Sequence, residues 1–98
     1  MSPIERFMSE AARLQEKKNV LFTSEIRATQ MYEDMHTNKG ALNAQESEFL
    51  LMVEKYNRDC LHPCADELST DEAVDARIAE LYSVLEKIEK TIYTLNWR

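Results

Sequence analysis

The scarcity of turn-forming residues is the strongest constraint on the fold of this chain. One glycine and two prolines occur in 98 residues, whereas a β-sandwich or barrel needs turn residues about every 8–12 positions. A chain of this length also supports one hydrophobic core rather than two. The sequence therefore predicts an all-α fold in one domain that spans residues 1–98.

Three helix starts are recognisable from capping boxes, in which a small polar residue precedes a glutamate by three positions. The three pairs are Ser2 with Glu5, Asn43 with Glu46, and Ser69 with Glu72. Gly40 is placed to end the first helix as its C′ residue, and Pro63 prevents the second from continuing. We predict helices at about 3–37, 44–61 and 70–97, which form a long–short–long antiparallel bundle.

The third predicted helix carries a regular heptad pattern, which indicates coiled-coil-like packing. Its a positions are Ile78, Leu85 and Ile92, and its d positions are Val74, Leu81, Ile88 and Leu95. The stripe either closes the internal bundle or forms the seam of a dimer.

The first predicted helix is apolar around most of its circumference. On a heptad wheel that starts at Ile4, the seam includes Lys18 and Glu25, whereas Val20 and Phe22 lie outside it. Either the helix breaks near residues 17–19 and its halves pack separately, or another chain buries part of residues 19–35. We favour the second explanation, with the bundle completed by oligomerisation. The predicted partner-binding anchors are Leu21, Phe22, Ile26, Met31 and Met35.

The charge distribution limits the classes of partner. The net charge is −6, which disfavours nucleic-acid binding. Acidic and basic residues balance through residue 40, so the excess lies in the second half and is densest in one patch. That patch comprises Asp66, Glu67, Asp71, Glu72 and Asp75. It either docks a basic partner or stabilises a helix N-terminus through the helix dipole. The sequence has no apolar run of membrane-spanning length and no secretory signal, so we expect a cytoplasmic protein without a membrane partner.

Cys60-Leu61-His62-Pro63-Cys64 is the one local cluster of chemically capable side chains. Cys60, His62 and Cys64 form a weak candidate zinc site, because a fourth ligand at standard spacing is missing. A local disulfide is the second possibility. The favoured interpretation is two reduced thiols, with Cys60 facing the core and His62 in solvent. We therefore expect neither a metal nor a cofactor.

Catalytic motifs are absent, and two histidines offer few candidate bases. The long–short–long helix lengths resemble those of the small all-helical chorismate mutases, which dimerise and bind a dicarboxylate through several arginines and lysines. The resemblance implies an enzyme, but the third helix lacks that family's late glutamine. The basic residues do not fall at the family's spacing either. These basic residues are Arg6, Arg13, Lys17, Lys18, Arg27 and Lys39.

We expect a small acidic protein–protein interaction module rather than an enzyme: an adaptor, chaperone or inhibitor subunit. It would act by helix-face docking to a protein partner or to itself, in a dimer or larger oligomer. The alternatives are an enzyme of chorismate-mutase-like architecture and a zinc or redox site at residues 60–64.

Overall fold

The computed structural model describes residues 2–24 and 26–95, with the side chains at positions 26 and 27 excluded. Within these ranges the chain is helical, as the sequence predicts, but it contains four α-helices rather than three. They are α1 (Pro3–Ser24), α2 (Ile26–Thr37), α3 (Ala44–Leu61) and α4 (Asp71–Thr94). Two short 3₁₀ turns, Lys39–Ala41 and Ala65–Leu68, precede α3 and α4.

The prediction of one helix over residues 3–37 is wrong, and so is the expected weak point at residues 17–19, which lies inside α1. α1 ends at Ser24, and α2 does not continue its direction. The Thr29 hydroxyl donates to the Phe22 carbonyl at 3.0 Å, although a straight helix separates residues seven apart by about 10 Å along its axis. The axes of α1 and α2 therefore point in different directions.

Ion pairs show that α3 and α4 run in opposite directions. Lys55 of α3 pairs with Glu80 of α4 at 2.8 Å, and Asp59 pairs with Arg77 at 3.9 Å. Residue numbers thus fall along α4 as they rise along α3.

α1 and α4 run in the same direction and make the most extensive contact between helices. Arg6 pairs with Asp75 at 2.9 Å, and further along both helices the Lys17 ammonium lies 4.9 Å from the centre of the Tyr82 ring. The first and last helices of the chain therefore pack side by side.

The core lies between α1, α3 and α4, with α2 covering one side. Its largest fully buried side chains are Tyr56, Phe7, Phe49, Leu14, Met31, Met35, Leu68, Leu81, Ile88, Ile92, Val53 and Val74. Each such apolar side chain contributes about 1.5–3 kcal/mol by leaving water. The heptad stripe of α4 lies in this core, with Ile78 and Leu85 partly buried against it. In this structure the stripe closes the internal bundle.

The structure bears on two of the predicted N-terminal helix caps. Asn43 forms a complete capping box with Glu46, each side chain bonding the other's backbone N–H at 2.9 Å. The α4 cap is Thr70 rather than Ser69, because the Thr70 hydroxyl accepts from the Ala73 N–H at 3.2 Å. The start of α4 is therefore one residue later than the predicted box.

The predicted helix ends also need correction. Gly40 is not a left-handed C′ residue: it lies in the first 3₁₀ turn, and no described glycine has a positive φ. α4 ends at Thr94, where the predicted helix continued to 97, since Leu95 adopts an extended backbone with φ −74° and ψ 124°.

Candidate interaction surfaces

The five predicted docking anchors occupy different environments. Met31 and Met35 are 0% exposed, because both belong to the chain's own core. They are therefore not available to a partner in this conformation. Leu21 and Phe22 are partly buried against that core, and the Ile26 side chain lies outside the described residues.

The C-terminal half of α1 retains an exposed apolar surface beside these anchors. Val20 is 58% exposed and borders a shallow cavity of about 370 Å³ together with Arg13, Glu16 and Lys17. We call these four residues the α1 face. Through the contact of Lys17 with Tyr82, the α1 face adjoins α4. The other large apolar residues that are exposed lie elsewhere: Met8, Leu51, Leu61 and Tyr93.

The acidic patch is partly engaged within the chain. Arg6 contacts both Asp71, at 3.3 Å, and Asp75, at 2.9 Å. Arg77 pairs with Glu67 at 3.1 Å. The hydrogen bonds and charges of Asp75 and Asp71 raise the pKa of Arg6. Three of the five acidic residues thus join α4 to α1 or to the preceding turn, which is a structural role at a helix N-terminus.

A polar cluster lies between α1 and α3. Lys18 and Gln15 both donate to the Asn57 amide oxygen, at 2.9 and 3.2 Å. The Gln15 amide oxygen is buried without a hydrogen-bond partner. Burial lowers the pKa of Lys18, and a smaller opposing effect comes from Cys60. This cluster explains how a lysine on the predicted apolar seam is accommodated.

The two cysteines differ in environment and are not joined. Cys60 is 6% exposed, and burial raises its pKa to about 11. Cys64 and His62, which follow the end of α3, are exposed. Cys60 is thus the buried thiol of the pair and Cys64 the exposed one. Across the described residues, no three His, Cys, Asp or Glu side chains are grouped to hold a metal.

A second titratable cluster, which the sequence did not indicate, joins α2 to α3. Lys39 Nζ lies 3.4 Å and His36 Nδ1 4.0 Å from a Glu54 carboxylate oxygen that is itself buried. The His36 ring stacks on Tyr32 at 6.1 Å between centroids. Burial, and then the Glu54 charge, raise the pKa of Tyr32. These contacts hold the exposed side of α2 against α3.

A groove of about 370 Å³ runs between α3 and α4, and sequence reasoning also missed it. It is lined by Gln45, Glu48, Met52, Lys87, Lys90, Thr91, Thr94 and Leu95. Little in the sequence indicates this groove, because its residues belong mainly to the polar flanks of two amphipathic helices. It is open and mixed in character, with Met52 and Leu95 as its apolar part.

The basic residues of the first half contact separate partners. Those with described side chains are Arg6, Arg13, Lys17, Lys18 and Lys39, and they contact Asp75, Glu10, Tyr82, Asn57 and Glu54, respectively. No two of these five share a partner, so the arrangement differs from the converging cations that a dicarboxylate site requires.

Comparison with family models, with curated proteins and with solved structures finds no match to this chain. Within residues 2–24 and 26–95, no helix combines the length and hydrophobicity that a membrane crossing requires. The function must therefore be inferred from the surfaces of the chain itself.

Proposed function

We propose that this chain is a small acidic protein–protein interaction module that docks through the α1 face. The observation that carries the proposal is the exposure of Val20, which is 58% exposed in the folded bundle. Leu21 and Phe22, next to it in the sequence, are only partly covered by the core. An apolar side chain bordered by charged residues is typical of an interface with a polar rim.

The α1 face also offers an electrostatically mixed border. Arg13 pairs with Glu10 at 3.5 Å, and Lys17 lies over the Tyr82 ring. Lysine and arginine contribute apolar stems as well as charge, so the face combines contact area with orientation. An adaptor, chaperone or inhibitor subunit would use such a face within a homo- or hetero-oligomer.

A pair of matched substitutions tests this proposal. Val20→Glu places a charge on the α1 face, whereas Leu51→Glu makes a comparable change on the outer side of α3, where Leu51 is 66% exposed. We expect Val20→Glu to weaken association at least tenfold, because a buried unpaired charge is costly at an interface, and Leu51→Glu to leave it unchanged. Both should keep the circular dichroism spectrum of the parent chain.

Association is measured in two ways: light scattering across a concentration series for self-association, and affinity capture with each variant as bait. Support requires a self-association, or a captured protein, that Leu51→Glu retains and Val20→Glu loses. Equal association by both variants, or none by the parent chain in either assay, would overturn the proposal.

A further inference from the structure

The α4 side of the groove between α3 and α4 carries two lysines that the fold itself does not use. Lys87 and Lys90 are three residues apart, so they lie on the same side of the helix. Among the described residues neither lysine forms an ion pair, whereas Lys39 and Lys55 both pair with carboxylates. Because the chain has 18 acidic and only 12 basic residues, two lysines left without a carboxylate at one groove indicate a site for an external one.

The groove is open enough to admit a peptide chain. Glu48 lines it from α3 and Lys87 and Lys90 line it from α4, yet these opposite charges do not pair within the described structure. The space between the helices is about 370 Å³. Its walls, residues 45–52 and 87–95, are about 10–12 Å long at about 1.5 Å per helical residue. An extended chain advances about 3.3 Å per residue, so the groove accommodates about three or four of its residues.

The groove offers hydrogen-bond acceptors as well as positive charge. The Thr91 and Thr94 hydroxyls donate to the Lys87 and Lys90 carbonyls, at 2.8 and 2.9 Å. Each hydroxyl therefore keeps lone pairs for a further donor but has no hydrogen left to give. The Glu48 carboxylate also only accepts. Sulfate or chloride supplies no donor for these oxygens, whereas a peptide has N–H groups along its backbone and can carry carboxylates on its side chains.

Met52 and Leu95 are the apolar part of the groove. Met52 is only partly buried against the core, and its unbranched thioether adapts to ligands of different shape. Ion pairs with exposed lysines contribute little affinity by themselves. An apolar side chain between the carboxylates of the ligand is therefore needed to contact Met52 and Leu95.

We propose that the α3–α4 groove binds a short acidic peptide segment of a partner protein, in which carboxylates flank an apolar side chain. The carboxylates pair with Lys87 and Lys90, and the apolar side chain packs on Met52 and Leu95. The groove shares no residue with the α1 face. This binding site therefore goes beyond the proposed function and does not depend on it.

Charge reversal at the groove is the first test. The probe is a fluorescein-labelled hexapeptide with a central leucine–phenylalanine pair and two aspartates on either side, and fluorescence polarisation measures its binding to the full chain. Lys87→Glu combined with Lys90→Glu should weaken binding about tenfold, because both attractive charges become repulsive. Lys17→Glu combined with Arg58→Glu is the matched control. It changes the net charge equally at two exposed positions outside the groove and should leave binding within about twofold of the parent chain.

Methionine methyl NMR locates the bound probe on the parent chain. The Met52 methyl signal should shift as the probe is added, whereas that of Met8, which is 53% exposed on α1, should stay in place. Val20→Glu should bind the probe as the parent chain does, which separates this site from the α1 face. A shift at Met8 without one at Met52 would overturn the proposal.

A second probe, with lysines in place of the four aspartates, tests the charge of the ligand. It should bind the parent chain about tenfold more weakly than the acidic probe. Equal binding of the two probes, or an acidic-probe Kd above about 1 mM, would overturn the proposal. So would an equal loss of binding in the two double variants.

Light scattering of the same variants identifies the alternative occupant. If reversal of Lys87 and Lys90 changes the mass of the particle in solution but not the binding of the acidic probe, the groove contacts a second copy and the peptide proposal is wrong. The probe comparison and the methionine shifts use the parent chain, so they decide the proposal whether or not the double variants keep its circular dichroism spectrum.

Discussion

α4 and the α1–α2 segment show two ways in which an apolar helix surface is buried. α4 has one narrow stripe, and the d positions Val74, Leu81 and Ile88 all lie in the core. The α1–α2 segment has apolar residues on several sides, and the structure divides it into two helices, Pro3–Ser24 and Ile26–Thr37. A narrow stripe is covered by one layer of neighbours and suits a straight helix. A wide apolar surface needs neighbours on several sides, which this chain supplies by folding α2 back.

The largest expected effect compares one core residue from each region. Leu81→Ala in α4 should destabilise the fold by about 3 kcal/mol, and Met35→Ala in α2 by about 2 kcal/mol, because both leave a cavity in a packed core. Urea denaturation followed by circular dichroism measures both. A cost below about 0.5 kcal/mol for Met35→Ala would show that α2 separates from the core before the bundle unfolds.

The ionisation of Cys60 makes the stability of the fold depend on pH in the alkaline range. This dependence tests whether α1 stays packed on α3. Burial raises the thiol's pKa to about 11, from 9.0, so between these values the folded chain keeps a proton that the unfolded chain releases. Stability should therefore fall with rising pH across this window, by about 2 kcal/mol at its upper end. The difference between the parent chain and Cys60→Ala, measured by denaturation from pH 8 to pH 11, isolates this thiol. Parallel pH profiles would contradict a buried Cys60.

The start of α4 gives a smaller effect that discriminates between neighbouring residues. Thr70→Ala should cost about 1 kcal/mol, since its hydroxyl caps the helix by accepting from Ala73. Ser69→Ala should cost less than about 0.3 kcal/mol, because Ser69 is not the cap. Equal costs of the two substitutions in thermal denaturation would show that Ser69 caps the helix, as the sequence predicts.

Gly40 gives the smallest effect, and the opposite sign. Its backbone needs no positive φ, and an added Cβ would meet nothing within 4 Å. Gly40→Ala should therefore stabilise the chain by about 0.5 kcal/mol, mainly by restricting the unfolded state. A destabilised variant in thermal denaturation would show that the connection after α2 depends on glycine.

Local signals explain which parts of the fold could be predicted from the sequence. The starts of α1 and α3 follow from side-chain caps at Ser2 and Asn43, which depend on residues three positions apart. The break after Ser24 could not be predicted in this way, because the contacts that stabilise it join α2 to α3 and to the core. Single-sequence periodicity contains no information about such distant partners.

The surfaces were less predictable than the fold, for a related reason. Met31 and Met35 have the residue type and spacing of anchors, but whether they are exposed depends on the direction of α2. Val20 is exposed but does not belong to the predicted set of anchors. Its position off the heptad seam was the one sequence signal that it lies on the surface. The contact of Arg6 with Asp71, 65 residues away, likewise had no local signature.

The side-by-side packing of α1 and α4 has a consequence for synthesis. The two helices meet through residues 65 positions apart, and ribosomes add about 5–20 residues per second. The apolar face of α1 therefore leaves the ribosome roughly 3–13 s before the α4 residues that cover it. During that interval Phe7 and Leu14, which are buried in the closed bundle, are accessible to chaperones and to neighbouring nascent chains. A polysome translating this chain thus places uncovered α1 helices close together before any copy can close its own bundle.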